Sequence, residues 1–303
     1  MPRAMKTGDY WKNYLCETDA ADVERNLKQT TFQAGNLSLS LKCFEKGKGA
    51  PNILWVVGTG CYALYLAELG YHMHLRGFNT FGVDFQGHGD SEGKRGGFTL
   101  SELVRNCIDA VAYIRDNYNG RVGAVGVSMG GFITLYLGLS DSAVKSIVCL
   151  NPGVVTEKAF RDEVTRLRKA PPLAGAVARV FPKMMIPTER CVDFMGLAGT
   201  EEKGHVETYL NDPAIVRRYT LRAVMSLIST PPPNPVEELS MPTMFLAPIR
   251  DALMSISYVR SLYDRLPTIK KKLIEVDGSH YWMSSHPREA AKVICDWFQD
   301  TLV

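Results

Sequence analysis

The sequence predicts an α/β chain: a mostly parallel central sheet flanked by helices, with an inserted helical cap. Three observations predict it. From Ile53 onward, short apolar runs rich in β-branched residues alternate with longer amphipathic stretches, the rhythm left by strand-helix-strand units. These runs end on Gly, Asp or Asn, which suit the loops at C-terminal strand ends where such sheets carry their chemistry. The rhythm then lapses for roughly 80 residues between Asn151 and Pro235, too long for a structureless loop.

In chain order, Thr30 to Cys43 alternates at period two through Leu37, Leu39 and Leu41 around the turn Ala34-Gly35-Asn36, and reads as an antiparallel hairpin at the sheet edge. Buried strands follow at Ile53 to Val57, Thr80 to Asp84, Val122 to Gly126 and Ser146 to Leu150. Thr99 with Glu102 forms a capping box, and Phe98 with Leu103 a hydrophobic staple. They open a helix whose apolar stripe runs through Leu100, Leu103, Val104, Cys107, Ile108 and Val111. Proline breaks divide the inserted stretch at Pro171-Pro172, Pro182, Pro187 and Pro213. Asp212 before Pro213 reads as an N-cap and first-turn pair opening a helix towards Ser229. Pro231 to Pro235 is a stiff return, after which strands resume at Thr243 to Ala247 and Lys272 to Val276. Pro287 opens a terminal helix that buries Ala290, Val293, Ile294, Trp297 and Phe298. The expected division is a core of residues 1–150 and 237–303 with a cap at 151–236.

Composition narrows the function. The 303 residues carry 35 Lys plus Arg against 32 Asp plus Glu, a net charge of +3, too balanced to call for a nucleic-acid or anionic-membrane partner. With 46% hydrophobic and 22% charged residues, the chain can bury a large core, which excludes disorder as the dominant state. Cysteines 16, 43, 61, 107, 149, 191 and 295 are odd in number, scattered and free of any CxxC pair, so buried thiols in a reducing compartment are expected and not a disulfide or zinc framework. Met1 to Ala20 is broken by Lys6, Asp9, Lys12 and Glu17 and offers no signal-peptide core. No later run of 18 apolar residues could span a bilayer, so the expectation is a cytoplasmic protein.

The chemistry centres on Gly126-Val127-Ser128-Met129-Gly130, between a predicted strand and the helical run Phe132 to Leu139. So tight a turn strains its central residue and leaves no room for a Cβ at Gly126 or Gly130, which holds Ser128 out over the sheet edge. A serine hydroxyl stays protonated at neutral pH and needs a base. Of six histidines, only His280 and His286 follow the last strand; His280 leaves it directly through Asp277-Gly278-Ser279, whereas His286 abuts Pro287 and reads as a helix cap. Asp251, in the loop after Thr243 to Ala247, suits the acid that orients His280. Asp277 reads as a strand-end turn residue and Asp264 as a solvated helix charge. The oxyanion of a tetrahedral intermediate needs two backbone N–H donors: Met129 supplies one, and Thr59 in Gly58-Thr59-Gly60-Cys61 is the candidate for the other. In that loop Gly58 and Gly60 let backbone approach substrate, and Cys61 reads as a packing thiol.

Ser128, Asp251 and His280, together with Asp84-Phe85-Gln86-Gly87-His88-Gly89-Asp90-Ser91-Glu92-Gly93, resemble the α/β-hydrolase superfamily, in particular its monoacylglycerol lipase and lysophospholipase branch. The resemblance covers roughly Asn52 to Val303, strongly in the core and weakly in the cap. It implies attack by Ser128 on an acyl carbonyl, an acyl-enzyme intermediate and hydrolysis by water, with no cofactor and no metal, and it makes His88 structural. Val57 departs from the pattern, standing where the family usually has histidine, although a backbone N–H donor does not require that side chain.

The substrate expected is a small acyl compound, lipid-like. The apolar cap stretch Leu173, Ala174, Ala176, Val177, Ala178, Val180, Phe181, Met184, Met185 and Ile186 suits a fatty-acyl chain, with Val180, Phe181, Met184 and Met185 the candidate contacts. Packing of the cap onto the core is the competing reading of that stretch. Stable membrane insertion is not expected, and a transient interfacial contact is the lesser option because Arg179 and Lys183 are few for a basic face. Other acyl bonds suit the same residues: a thioester, lactone or amide, or acyl transfer to an alcohol. A non-catalytic binder on the same scaffold would not need the full set of three side chains. His72-Met73-His74 is poorly spaced for a shared metal, Lys270-Lys271-Lys272 reads as solvated charge, and Gly58-Thr59-Gly60 lacks the rest of any phosphate-binding motif.

Overall fold

The computed structural model describes residues 7–140, 143–163 and 174–303, so Pro171, Pro172 and Leu173 lie outside the described residues. Its centre is an eight-stranded sheet. The strands are β1 (Lys28–Ala34), β2 (Leu37–Phe44), β3 (Asn52–Val56), β4 (Asn79–Val83), β5 (Val122–Val127), β6 (Ser146–Leu150), β9 (Thr243–Pro248) and β10 (Lys271–Val276). Their spatial order is β1-β2-β4-β3-β5-β6-β9-β10. A further antiparallel pair, β7 (Met185–Pro187) and β8 (Arg218–Thr220), lies in the stretch between β6 and β9. The β1–β2 hairpin, turning at Gly35 with φ +58°, forms one edge. β1–β2 and β2–β4 are antiparallel and every other pair in the sheet is parallel.

The helices are α1 (Ala20–Asn26), α2 (Ala67–Leu75), α3 (Leu100–Asn117), α4 (Met129–Gly138), α5 (Lys158–Glu163), α6 (Ala174–Val180), α7 (Lys203–Asn211), α8 (Leu221–Ser229), α9 (Ile256–Asp264), α10 (Trp282–Ser285) and α11 (Pro287–Leu302). They cover both faces of the sheet. In β5 the space where a Cβ would stand at Gly123 is filled by Phe298 of α11, and that at Gly126 by Gly130 and Thr134 of α4. Two strand residues three apart point to opposite faces, so α11 and α4 sandwich the sheet. Buried on both faces, β3, β4, β5 and β6 have no exposed residue, which accounts for their unbroken apolar runs. The α3 capping box forms as the sequence predicts: Thr99 Oγ1 accepts from the Glu102 N–H, and Glu102 accepts in turn from the Thr99 N–H at 2.6 Å. Among the described residues, no helix is long and apolar enough to cross a membrane.

Parallel pairing brings the C-terminal strand ends level. Val56 pairs with Gly126, Val127 with Leu150, Leu150 with Leu246, and Pro248 with Val276. The loops after β3, β5, β6, β9 and β10 therefore open side by side.

The stretch between β6 and β9 differs from the sequence expectation at Asp212. No helix opens there: Asp212 closes α7, its carboxylate is buried, and the next helix starts only at Leu221, where the Thr220 hydroxyl accepts from the Ala223 N–H. Asp212 instead accepts from the hydroxyls of Tyr14 and Tyr62, each at 2.8 Å, and from the Ala214 N–H at 2.7 Å. Pro213 follows a carboxylate already committed to long-range partners, so the local N-cap pattern is overridden. His286 likewise precedes Pro287 at the start of α11 but makes no cap bond through its side chain; its ring stacks on Trp282 at 6.0 Å.

Candidate active site

Ser128 sits between β5 and α4 with φ +56° and ψ −123°, one of two non-glycine residues with positive φ among those described. Such a backbone is strained for a residue with a Cβ and persists because its surroundings fix it. A Cβ on Gly126 would strike the Gly130 carbonyl, one on Gly130 the Val56 and Val57 carbonyls, and one on Gly131 the Leu150 carbonyl. Sequence reasoning named the first two glycines and missed the third.

The loop after β10 delivers His280, and the loop after β9 delivers Asp251. The β9–β10 ladder continues past the strand ends through Ile249 N–H to the Val276 carbonyl at 2.9 Å and Arg250 N–H to the Gly278 carbonyl at 3.0 Å, so the two loops are set against each other. His280 Nε2 lies 2.9 Å from Ser128 Oγ, and His280 Nδ1 lies 2.9 Å from Asp251 Oδ2. With the proton on Nδ1, the ring donates to the carboxylate and accepts from the serine hydroxyl. The side chains of His280 and Asp251 are 4% and 1% exposed, so the imidazole and the carboxylate are shielded from water. Burial is the largest influence on Asp251 and works to raise its pKa. The facing imidazole, together with the Leu253 and Met254 N–H groups, more than offsets this and holds the carboxyl below its ordinary value. The rival Asp277 is exposed and paired with Arg250.

Asn151, at the end of β6, is a functional candidate that sequence reasoning missed. Its φ is +59°, it is 2% exposed, and its side-chain amide donates to Asp251 Oδ2. Asparagine tolerates the left-handed region better than other residues with a Cβ, and that was its only signal in the sequence.

Gly58 packs directly against Ser128, with its Cβ position 3.2 Å from the serine Cβ. Thr59 and Met129 border the same cavity as Ser128 and His280. Gly60 is a correction: with φ +73° it turns away from the cavity, and a Cβ there would lie 2.7 Å from the Val216 carbonyl. It makes room for the inserted chain, not for substrate. Cys61 is buried, and burial drives its thiol well above the ordinary value, so it is no thiolate nucleophile.

A cavity opens above Ser128 with about 1090 Å³ of empty space, including its open mouth. Its walls are mostly apolar, with Phe132, Phe160, Phe194, Leu197, Val224 and Leu227 as large contributors; among the described residues no Asp, Glu, Lys or Arg lines it. Val180, Phe181, Met184 and Met185 are absent from this wall. Val180, Phe181 and Met184 are 69%, 60% and 44% exposed, and Met185 borders a separate surface hollow. α6 packs on α8 but leaves Val177 and Val180 facing outward, and Phe181 and Met184 follow beyond its end on the exposed side of the chain.

A serine on a strand-to-helix elbow, a histidine and an aspartate from later strand ends, and a mostly parallel sheet together define the α/β-hydrolase fold. The model of the family described as serine aminopeptidase, S33, matches residues 50–281, and the chain belongs to that family of hydrolases. Its fold is similar to a monoacylglycerol lipase from Paleococcus ferrophilus, with a TM-score of 0.70 and 20% identity over 86% of this chain and 98% of the other. It is also similar to a soluble variant of the Saccharomyces cerevisiae monoglyceride lipase in complex with a substrate analogue, with a TM-score of 0.74 and 16% identity over 96% and 98% of the two chains. An uncharacterised 31.7 kDa protein of Escherichia coli is 23% identical over 75% of this chain and 82% of its own length.

Proposed function

We propose that this chain is a serine carboxylic ester hydrolase acting on an apolar, fatty-acyl substrate, comparable in activity to a monoacylglycerol lipase. The observation that carries the reading is the unbroken line of hydrogen bonds from Ser128 through His280 to Asp251 at the floor of an apolar cavity. Ser128 Oγ attacks the acyl carbonyl while its proton passes to His280 Nε2. Asp251 stabilises the imidazolium and keeps the ring turned. The oxyanion accepts from the Thr59 and Met129 N–H groups, for neither of which a backbone acceptor stands among the described residues. Collapse expels the alcohol with the proton from His280; water then attacks the acyl-enzyme with His280 as base, releasing the carboxylic acid and restoring Ser128. Residues 151–236 act as the cap over a core made of residues 1–150 and 237–303. The seven scattered cysteines, all free thiols, support a reducing, cytoplasmic setting.

The family's description favours a second reading, cleavage of an amide at a free amino terminus. An aminopeptidase must hold a substrate ammonium, and among the described residues the cavity wall offers it no carboxylate. The apolar ester therefore stands first. The test pairs fluorophosphonate labelling with a chain-length series of p-nitrophenyl esters. Ser128→Ala should abolish labelling and lower turnover by about 10⁴-fold or more. Faster cleavage of aminoacyl anilides than of any ester would give the site to the amide reading.

A further inference from the structure

The loop that carries Thr59 is held from above by the inserted segment. One peptide unit, Thr59–Gly60, has both its polar groups engaged by tyrosine hydroxyls. Tyr209 Oη, from α7, donates to the Thr59 carbonyl at 2.8 Å, and the Gly60 N–H donates to Tyr219 Oη, from β8, at 2.6 Å. The next carbonyl, Gly60, accepts from the Val216 N–H at 2.9 Å, and the preceding one, Gly58, accepts from the Cys61 N–H at 3.2 Å. These bonds fix the peptide planes on either side of the Thr59 Cα, and among the described residues none of them takes the Thr59 N–H. Both tyrosines are buried, at 3% and 2% exposure, and burial drives both hydroxyls well above the ordinary phenol value, so neither ionises in the working range.

The segment bearing them is itself anchored. Arg95 Nη2 donates to three successive carbonyls, Pro213, Ala214 and Ile215, at 3.0, 2.9 and 2.8 Å. The Thr220 N–H donates to the Gly96 carbonyl at 2.8 Å, and Asp212 receives Tyr14 and Tyr62.

We propose that Tyr209 and Tyr219 are positioning residues for the oxyanion hole, which aim the Thr59 N–H by clamping the following peptide. This part of the inserted segment is thus a fixed component of the site and not a moving lid. The inference rests on the ester-hydrolase reading given above. An oxyanion donor acts only on charge that develops in the transition state, so misaiming it lowers kcat and leaves substrate binding alone.

The test uses the purified full chain carrying Tyr209→Phe or Tyr219→Phe, with melting temperature confirming a native fold. Tyr14→Phe serves as control, because it removes a tyrosine hydroxyl that bonds the same inserted segment through Asp212 without touching the Thr59–Gly60 peptide. Each clamp variant should lower kcat for a p-nitrophenyl ester about 10-fold with KM within about twofold. Affinity for a trifluoromethyl ketone, which forms a tetrahedral adduct on the serine, should fall in parallel. Tyr14→Phe should leave kcat at the wild-type value. If one clamp variant does not fold, the other carries the test alone. Unchanged kcat in a folded clamp variant would overturn the assignment, as would a rise in KM alone or an equal loss in Tyr14→Phe. A wild-type chain that neither cleaves esters nor labels with fluorophosphonate would overturn the ester reading and this assignment together.

Discussion

Lowering the pH should destabilise this protein well before its carboxylates titrate, because two imidazoles are buried in neutral form. His88 is 1% exposed, with ring centroids 5.4 Å from Phe98 and 6.1 Å from both Phe85 and Tyr219. Burial, the largest influence, and the Arg95 charge bring its pKa down from 6.5 to about 4, against a smaller opposing bond to the Gln86 carbonyl. Burial does the same for His205, whose Nε2 lies 2.7 Å from the Tyr65 hydroxyl, again to about 4. A base with a depressed native pKa stays neutral while the unfolded chain takes up a proton. The stability that these imidazoles contribute is therefore fully present above pH 6.5, falls as pH drops below it, and is lost by about pH 4. Between about pH 7.5 and pH 5, each such imidazole costs roughly 2 kcal/mol, or about 4 kcal/mol for the pair. His72 and His74, also lowered, add to the loss, and Asp84, raised by burial, works in the other direction. Urea unfolding followed by tryptophan fluorescence at the two pH values measures the difference. In His205→Gln the gap between the two pH values should shrink by about 2 kcal/mol, whatever the variant's absolute stability. Equal wild-type stability at both pH values, or an undiminished gap in the variant, would refute the reasoning.

Three further outcomes can be read from the site. Asn151→Gly keeps a backbone free to adopt φ +59° but removes the amide bond to Asp251; a hydrogen bond to a charged group is worth about 1.5 kcal/mol or more, so kcat should fall at least about tenfold with the fold intact. Gly130→Ala sets a methyl against the Val56 and Val57 carbonyls, so it should lose about 4 kcal/mol or more and fail to accumulate as folded protein; a stable variant in a urea melt would contradict the packing described. Phe181→Ser, at 60% exposure, should leave kcat/KM for a soluble short-chain ester unchanged, whereas Leu227→Trp, inside the cavity wall, should shift the preferred acyl chain to shorter lengths in the p-nitrophenyl series.

How far the sequence carried the reading depended on whether each signal was local. A buried strand must be apolar at every position, so β3 to β6 were legible to within a residue at each end. The glycines of the elbow were legible because a strand-to-helix turn imposes its own close approaches, and Gly131 was missed because it closes on β6, outside the motif. Ser128, Asp251 and His280 could be nominated because each stands at or just beyond a strand end, and parallel pairing brings those ends level. The inserted segment gave no such purchase. Its apolar residues were assigned to substrate by composition, yet Val180 and Phe181 face outward, and the cavity takes its walls instead from Val224 and Leu227 of α8 and from Phe194 and Leu197 in the stretch before α7. Asp212 read locally as a helix cap, but its partners Tyr14 and Tyr62 lie 198 and 150 residues away in sequence. The tyrosine clamp failed to register for the same reason: Tyr209 and Tyr219 carry no motif, and what gives them a role is a loop 150 or more residues earlier whose peptide groups need partners once water is excluded. Residues that react are constrained by their own strand ends and can be found in sequence, while residues that aim them are constrained by what folds back over the site and become legible only in three dimensions.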